Sequence, residues 1–239
     1  MINLNRRHLL GAAGAATLMP AAAAMAAATS PAPAPSKGGK TILTADQALG
    51  LLKEGNRRFV ADMPATGPIS RKRRLEIAKS QAPFAVLVSC SDSRVGPEQL
   101  FGRGLGELFI VRNAGNTASS NEAMGSIEYG VGVLGAPLIV VLGHERCGAV
   151  AAATEVVGKN ANFPGSIGRM VEPIIPAALM ARGRSGDWVD NAVRANVRRT
   201  VEQLRTAVEP ILLEPQKQGK LKVVGAYYDL DTGAVEWLE

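Results

Sequence analysis

The chain has 239 residues, of which 46% are hydrophobic, 20% charged and 4% aromatic, enough for one packed domain with an aliphatic core and a terminal extension. Its net charge is +6, and its one dense basic run, Arg71-Lys72-Arg73-Arg74, carries no interleaved aromatic residue. Scattered acids beside that single run argue against a nucleic-acid surface, which is more one-signed, and leave the run as a solvated helix face.

In chain order, Asn5-Arg6-Arg7-His8-Leu9-Leu10 precedes an apolar stretch of small residues over 11–28. A charged start, an apolar middle and small residues at a cleavage point predict a secretory signal peptide over 1–28. The paired arginines point to the twin-arginine route and a periplasmic destination. The Pro/Ala repeat that follows predicts an extended linker over 29–42. No later segment holds eighteen consecutive apolar residues, so no membrane span is expected once the signal is removed.

Thr44-Ala45-Asp46-Gln47 predicts a capping box that opens a helix over 44–60, and a second helix is expected over 70–79. Uninterrupted apolar runs at 84–89, 108–111, 137–142 and 221–227 suit strands buried on both faces of a parallel sheet. A short edge strand is expected at 234–238. Helical patterns fall between the strands at 121–133, 147–155 and 187–208. Strands alternating with helices predict an α/β fold, a mostly parallel central β-sheet flanked by helices, as one domain over 43–239.

The chemistry gathers at the strand ends. There are two cysteines, Cys90 and Cys147, each just past an expected buried strand. In an exported protein they read either as one disulfide or as metal ligands. Of two histidines, His8 lies in the signal, leaving His144 three residues before Cys147. At the opening of a helix that spacing puts both side chains on one face. Two cysteines and one histidine with an open position form a catalytic zinc arrangement. Two thiolates cancel the charge of the dication, so a nearby group must help to position the reacting water. Asp92 and Arg94, two residues apart after Cys90, can pair as carboxylate and guanidinium and leave one carboxylate oxygen to accept from that water.

At these residues the sequence resembles the β-class carbonic anhydrases. The likeness spans 43–224 and rests on Cys90-Ser91-Asp92-Ser93-Arg94, Val111-Arg112-Asn113-Ala114-Gly115-Asn116, Ile127-Glu128-Tyr129 and Gly143-His144-Glu145-Arg146-Cys147-Gly148-Ala149. The resemblance implies reversible hydration of carbon dioxide to bicarbonate and a proton by zinc-bound hydroxide. It implies one zinc (Zn2+) per subunit on Cys90, His144 and Cys147, and a homodimer or a dimer of dimers with the substrate cleft at the subunit interface. Asp92 and Arg94 become the catalytic pair, with Asp92 a fourth ligand only in a closed state. Gln81 matches a position whose amide orients substrate, and Phe109 and Tyr129 match apolar and aromatic wall positions. Ala114 stands where a valine is common, which widens the pocket.

Some bacterial members of that family are switched off by bicarbonate bound beside a tryptophan three residues before the first zinc cysteine. Leu87 holds that position here, so no such switch is expected, and neither is a cooperative loss of activity on acidification. The mature chain has no second histidine to shuttle a proton, which leaves buffer, water or Tyr129 to carry it. Two other functions stay open on the residues. One is hydrolysis of carbonyl sulfide or carbon disulfide on the same scaffold. The other is a non-catalytic periplasmic zinc- or thiol-binding protein, against which the Asp92–Arg94 pair speaks, because metal storage needs neither. No nucleic-acid partner is expected.

Overall fold

The structure is a computed structural model that describes residues 32–63 and 66–238; the signal expected over 1–28 lies outside the described residues. A small hairpin comes first, β1 (Ser36–Lys37) against β2 (Lys40–Thr41), turned through Gly38 and Gly39 at positive φ. The Ala34 N–H just before it donates to the Glu107 carboxylate at 2.8 Å, so the extended linker expected over 29–42 is corrected: from Ala34 to Thr41 the chain is paired with itself and tied to the domain. Helix α1 (Ala45–Val60) opens on the expected capping box, with Thr44 and Gln47 satisfying each other's backbone N–H groups. Then come α2 (Arg71–Ile77), β3 (Ala85–Ser89), α3 (Pro97–Leu100) and β4 (Leu108–Arg112). Helix α4 (Asn121–Glu128) widens into a π-helical turn at Tyr129–Val133 before β5 (Leu138–His144). The chain continues through α5 (Gly148–Lys159), α6 (Gly165–Val171), a 3-10 turn, α7 (Ile175–Ala181), α8 (Trp188–Arg205), α9 (Pro210–Lys217), β6 (Lys222–Tyr228) and β7 (Val235–Leu238).

The sheet has the order β4-β3-β5-β6-β7. Every pairing is parallel except the last, where β7 runs antiparallel along the edge. Both faces are covered, which is why the strands are apolar at every position rather than at alternate ones. On one face Val86, Val88, Ile139 and Val141 meet α5, α7 and α8 through Ala153, Ala178 and Val197. On the other, Ala85, Leu87, Leu138 and Val140 meet α1 and the end of α3 through Ala48, Leu52 and Phe101.

Three later stretches also differ from expectation. Residues 165–181, where no element is expected from the sequence, are helical despite Gly165, Gly168, Pro173 and Pro176. Each proline instead sits in the first turn of a new short segment, where its missing N–H costs nothing. Helix α9 follows the same rule with Pro210 in its first turn. The third difference lies at His144, where strand β5 runs two residues further than its apolar run.

Candidate metal centre

The parallel strands β3 and β5 are neighbours, with Ser89 opposite Leu142, so their carboxyl ends open at the same edge. Cys90 follows Ser89 directly, and His144 is the last residue of β5. Carboxyl ends of parallel strands collect such groups because the loops diverge there and leave a crevice.

His144 and Cys147 do not share a helix face, contrary to the spacing argument. His144 is still paired with Tyr228 of β6, and the next N–H, of Glu145, donates to the Tyr228 carbonyl at 2.9 Å. The ladder therefore holds the chain extended through His144, and the helix cannot begin there. The reversal falls on Arg146, which takes a left-handed φ of 51°, and Cys147 becomes the N-cap residue of α5. The turn, not a helical repeat, brings imidazole and thiol together.

The ligand atoms of Cys90, His144 and Cys147 all lie within 4.8 Å of one another, and all three residues are buried. The two sulfurs are 3.9 Å apart and both thiols are free. That separation is far beyond an S–S bond of about 2.05 Å, so the disulfide reading is corrected in favour of a ligand cluster. His144 donates from Nδ1 to the Glu145 carbonyl at 2.9 Å. This pairing fixes the tautomer and leaves the Nε2 lone pair towards the thiols. Nε2 is buried without a hydrogen-bond partner. A buried acceptor left unpaired is costly, and a metal ion satisfies it, as the backbone-oriented imidazole of a metal site requires.

The thiols point the same way. Cys90 is driven well below the ordinary thiol range, chiefly because the Cys147 thiol donates to its sulfur, with help from the Gly115 N–H. The same contact, with burial, pushes Cys147 upward. The pair releases one proton readily and resists losing the second, because two adjacent thiolates repel each other in a buried site. A divalent cation removes that repulsion, so the donor set fits zinc.

Asp92 lies beside this cluster, its Oδ2 3.9 Å from His144 Nε2. Arg94 holds it in a fork, with Nε to Oδ1 at 2.9 Å and Nη2 to Oδ2 at 2.7 Å, and the Arg94 backbone N–H adds a third bond at 2.9 Å. This guanidinium keeps the Asp92 carboxyl far below the usual carboxylate range. Sequence reasoning assigned no role to Arg112. It donates from Nε to the Cys90 carbonyl and from Nη2 to the Asp92 carbonyl, both at 2.8 Å, and so pins the loop that carries both residues. Nothing in its spacing marks this, since it depends on Arg112 facing Ser89 across β4 and β3.

Gln81, Phe109 and Tyr129 lie elsewhere in the same chain. Gln81 is exposed before the amino end of β3. Phe109 pairs with Val86, four residues before Cys90, or about 13 Å along a strand. Tyr129 sits with its ring 6.0 Å from that of Phe109 and is 47% exposed. Leu87, by contrast, is fully buried between Ile110 and Val140.

The family model described as carbonic anhydrase matches residues 85–235 of this chain. Carbonic anhydrase 2 of Mycobacterium tuberculosis is 42% identical over 182 residues, covering 76% of this chain and 87% of the relative. Among solved structures, a Coccomyxa β-carbonic anhydrase in complex with acetazolamide superposes with a TM-score of 0.61 at 30% identity, over 80% of this chain and 86% of the other. A tetrameric β-carbonic anhydrase of the ascomycete Sordaria macrospora does so with a TM-score of 0.62 at 26% identity, over 69% and 84%.

Proposed function

Since the chain belongs to the β-class carbonic anhydrase family, we propose that Cys90, His144 and Cys147 hold its zinc ion and that Asp92 and Arg94 serve the reaction beside it. The enzyme catalyses the reversible reaction of carbon dioxide and water to bicarbonate and a proton. Bound zinc supplies a Lewis acid that brings the ionisation of water into the neutral range. Asp92, held ionised by Arg94, can only accept a hydrogen bond. A reacting water next to it must therefore point its hydrogen at the carboxylate and a lone pair at carbon dioxide. Arg94 also keeps the carboxylate from swinging onto the metal. The proton leaves through water and buffer, since the other histidine of the chain is His8 in the expected signal.

The observation that carries this reading is the buried, partnerless His144 Nε2 facing two free thiols, with an arginine-locked carboxylate 3.9 Å away. Stopped-flow hydration of carbon dioxide by metal-quantified protein tests it. Wild type is expected to carry one zinc per chain and to turn over, and Cys147→Ser is expected to lose both properties. Full activity in zinc-free wild type sinks the assignment. No observation favours carbonyl sulfide or carbon disulfide hydrolysis, and a storage protein has no use for the Asp92–Arg94 fork.

Export by the twin-arginine route to the periplasm, with a signal over 1–28, is the second part of the proposal. Its support is the Arg6-Arg7 pair before a small-residue apolar stretch. Replacing both arginines by lysine should leave full-length precursor in the cytoplasm; normal processing of that variant rules the route out. The third part is a homodimer or dimer of dimers. Tyr129 beside Phe109, and Val133 further along the same turn, expose apolar surface, and α2 buries no residue within its own chain, as unpartnered interface elements do.

A further inference from the structure

Helix α8 turns a buried stripe of Ala192, Val193, Val197 and Val201 towards the sheet, and one amide interrupts it. Asn196 is 2% exposed. A buried amide is unfavourable unless its donors are used. Its Nδ2 donates to the Gly115 carbonyl at 2.7 Å, across 81 residues of sequence. Gly115 in turn donates its N–H to the Cys90 sulfur at 3.4 Å. The rest of the turn is fixed from the sheet side: Ser91 N–H donates to the Asn113 carbonyl and Asn113 N–H to the Ser89 carbonyl, each at 3.2 Å. Asn113 also closes on Thr117 through both side-chain atoms. Gly115 is required there twice over. Its φ is +84°, and a β-carbon would stand 2.4 Å from the Ile174 side chain.

We propose that Asn196 is a positioning residue for the metal centre: by gripping the Gly115 carbonyl it aims the Gly115 N–H at the Cys90 sulfur. The inference rests on the reading of Cys90 as a zinc ligand. An N–H bond to a metal thiolate fixes the direction of its lone pairs and drains charge from the sulfur. With two thiolates on one dication, that drain keeps the ion a stronger Lewis acid. Outer partners of this kind set metal affinity as well as orientation.

Cobalt-substituted and zinc-loaded full-length protein tests this without relying on turnover. In Asn196→Leu the thiolate-to-cobalt absorption should move to lower energy, and zinc should bind about tenfold more weakly against a chromophoric chelator, the low end for such partners. Val201→Ala, a cavity five residues along the same helix where it packs at Gly225 of β6, should leave both at wild-type values. Asn196→Ala repeats the test with a smaller side chain. Cadmium-113 wild type gives a reading that needs no variant: the Gly115 amide proton should show scalar coupling to the metal through the Cys90 sulfur. A wild-type band and affinity in either Asn196 variant, equal changes in Val201→Ala, or absence of that coupling overturns the proposal. If Cys90→Ser keeps wild-type cobalt absorption, the ligand assignment itself fails, which is a different result.

Discussion

Arg94 decides where the Asp92 carboxylate points, because three of its N–H groups converge on that one side chain. Without them no side-chain hydrogen bond holds Oδ2 at 3.9 Å from His144 Nε2, and the carboxylate is free to turn towards an ion held by the three proposed ligands. Arg94→Leu is therefore expected to keep one zinc per chain while kcat/KM at neutral pH falls by about 10²-fold, the upper end for loss of an outer partner. Wild-type turnover by fully loaded Arg94→Leu discards the gating role. Acid stability gives a second reading. A carboxyl depressed in the folded state adds stability above its unfolded pKa, about 3.9 for aspartate, and that share is lost as the pH falls through the lower folded value. Arg94→Leu brings the folded value back up, so near-ultraviolet dichroism should collapse at a higher pH in the variant than in the wild type.

At the scale of the element, the four parallel strands and the helices at 44–60 and 187–208 are legible because they carry their own signals. These are a capping box, uninterrupted apolar runs, and the buried stripe of α8. The polar clusters that end two of those runs mark the site for the same reason, since a parallel strand stops being buried where its ligands begin. The turn between His144 and Cys147 is not legible. A spacing of three fits one helical turn as well as a reversal, and only the pairing of β5 with β6 decides between them. The reversal also depends on a distant residue. A left-handed φ costs a non-glycine residue roughly 1–2 kcal/mol. Arg146 is held in it by Asp231 of the β6–β7 turn, with Nη1 to Oδ2 at 3.0 Å and Nη2 to Oδ1 at 2.5 Å. Glu145 braces the same turn by accepting from the Leu230 N–H at 3.1 Å. Asn196 could have been suspected from the sequence alone, as the one amide in an apolar helical stripe. Its target, Gly115, could not, because the contact spans the fold.

For the whole molecule, the three proposed metal ligands come from one chain, at the carboxyl end of the sheet, whereas Phe109 and Tyr129 sit near the opposite end of β3 and β4. If these aromatics wall a cleft, they wall it around the metal of a second copy. Strand β4 suits such an approach: it is an edge strand whose Leu108, Phe109 and Ile110 are only half-buried, a surface that invites pairing unless it is covered. Tyr129→Asp places a charge in that contact. An unpaired charge in an apolar interface costs several kcal/mol, and about 3 kcal/mol raises a dissociation constant by about 10²-fold. Sedimentation velocity should then show the variant as monomer at concentrations where the wild type is assembled. Its hydration rate should fall sharply at the same concentration, yet its zinc content should stay at one per chain, because no ligand crosses the interface. A variant that stays assembled and active removes Tyr129 from the interface. A monomer that has lost its zinc shows that the metal centre itself needs the second chain, and the division between metal ligands from one copy and substrate walls from the other falls with it.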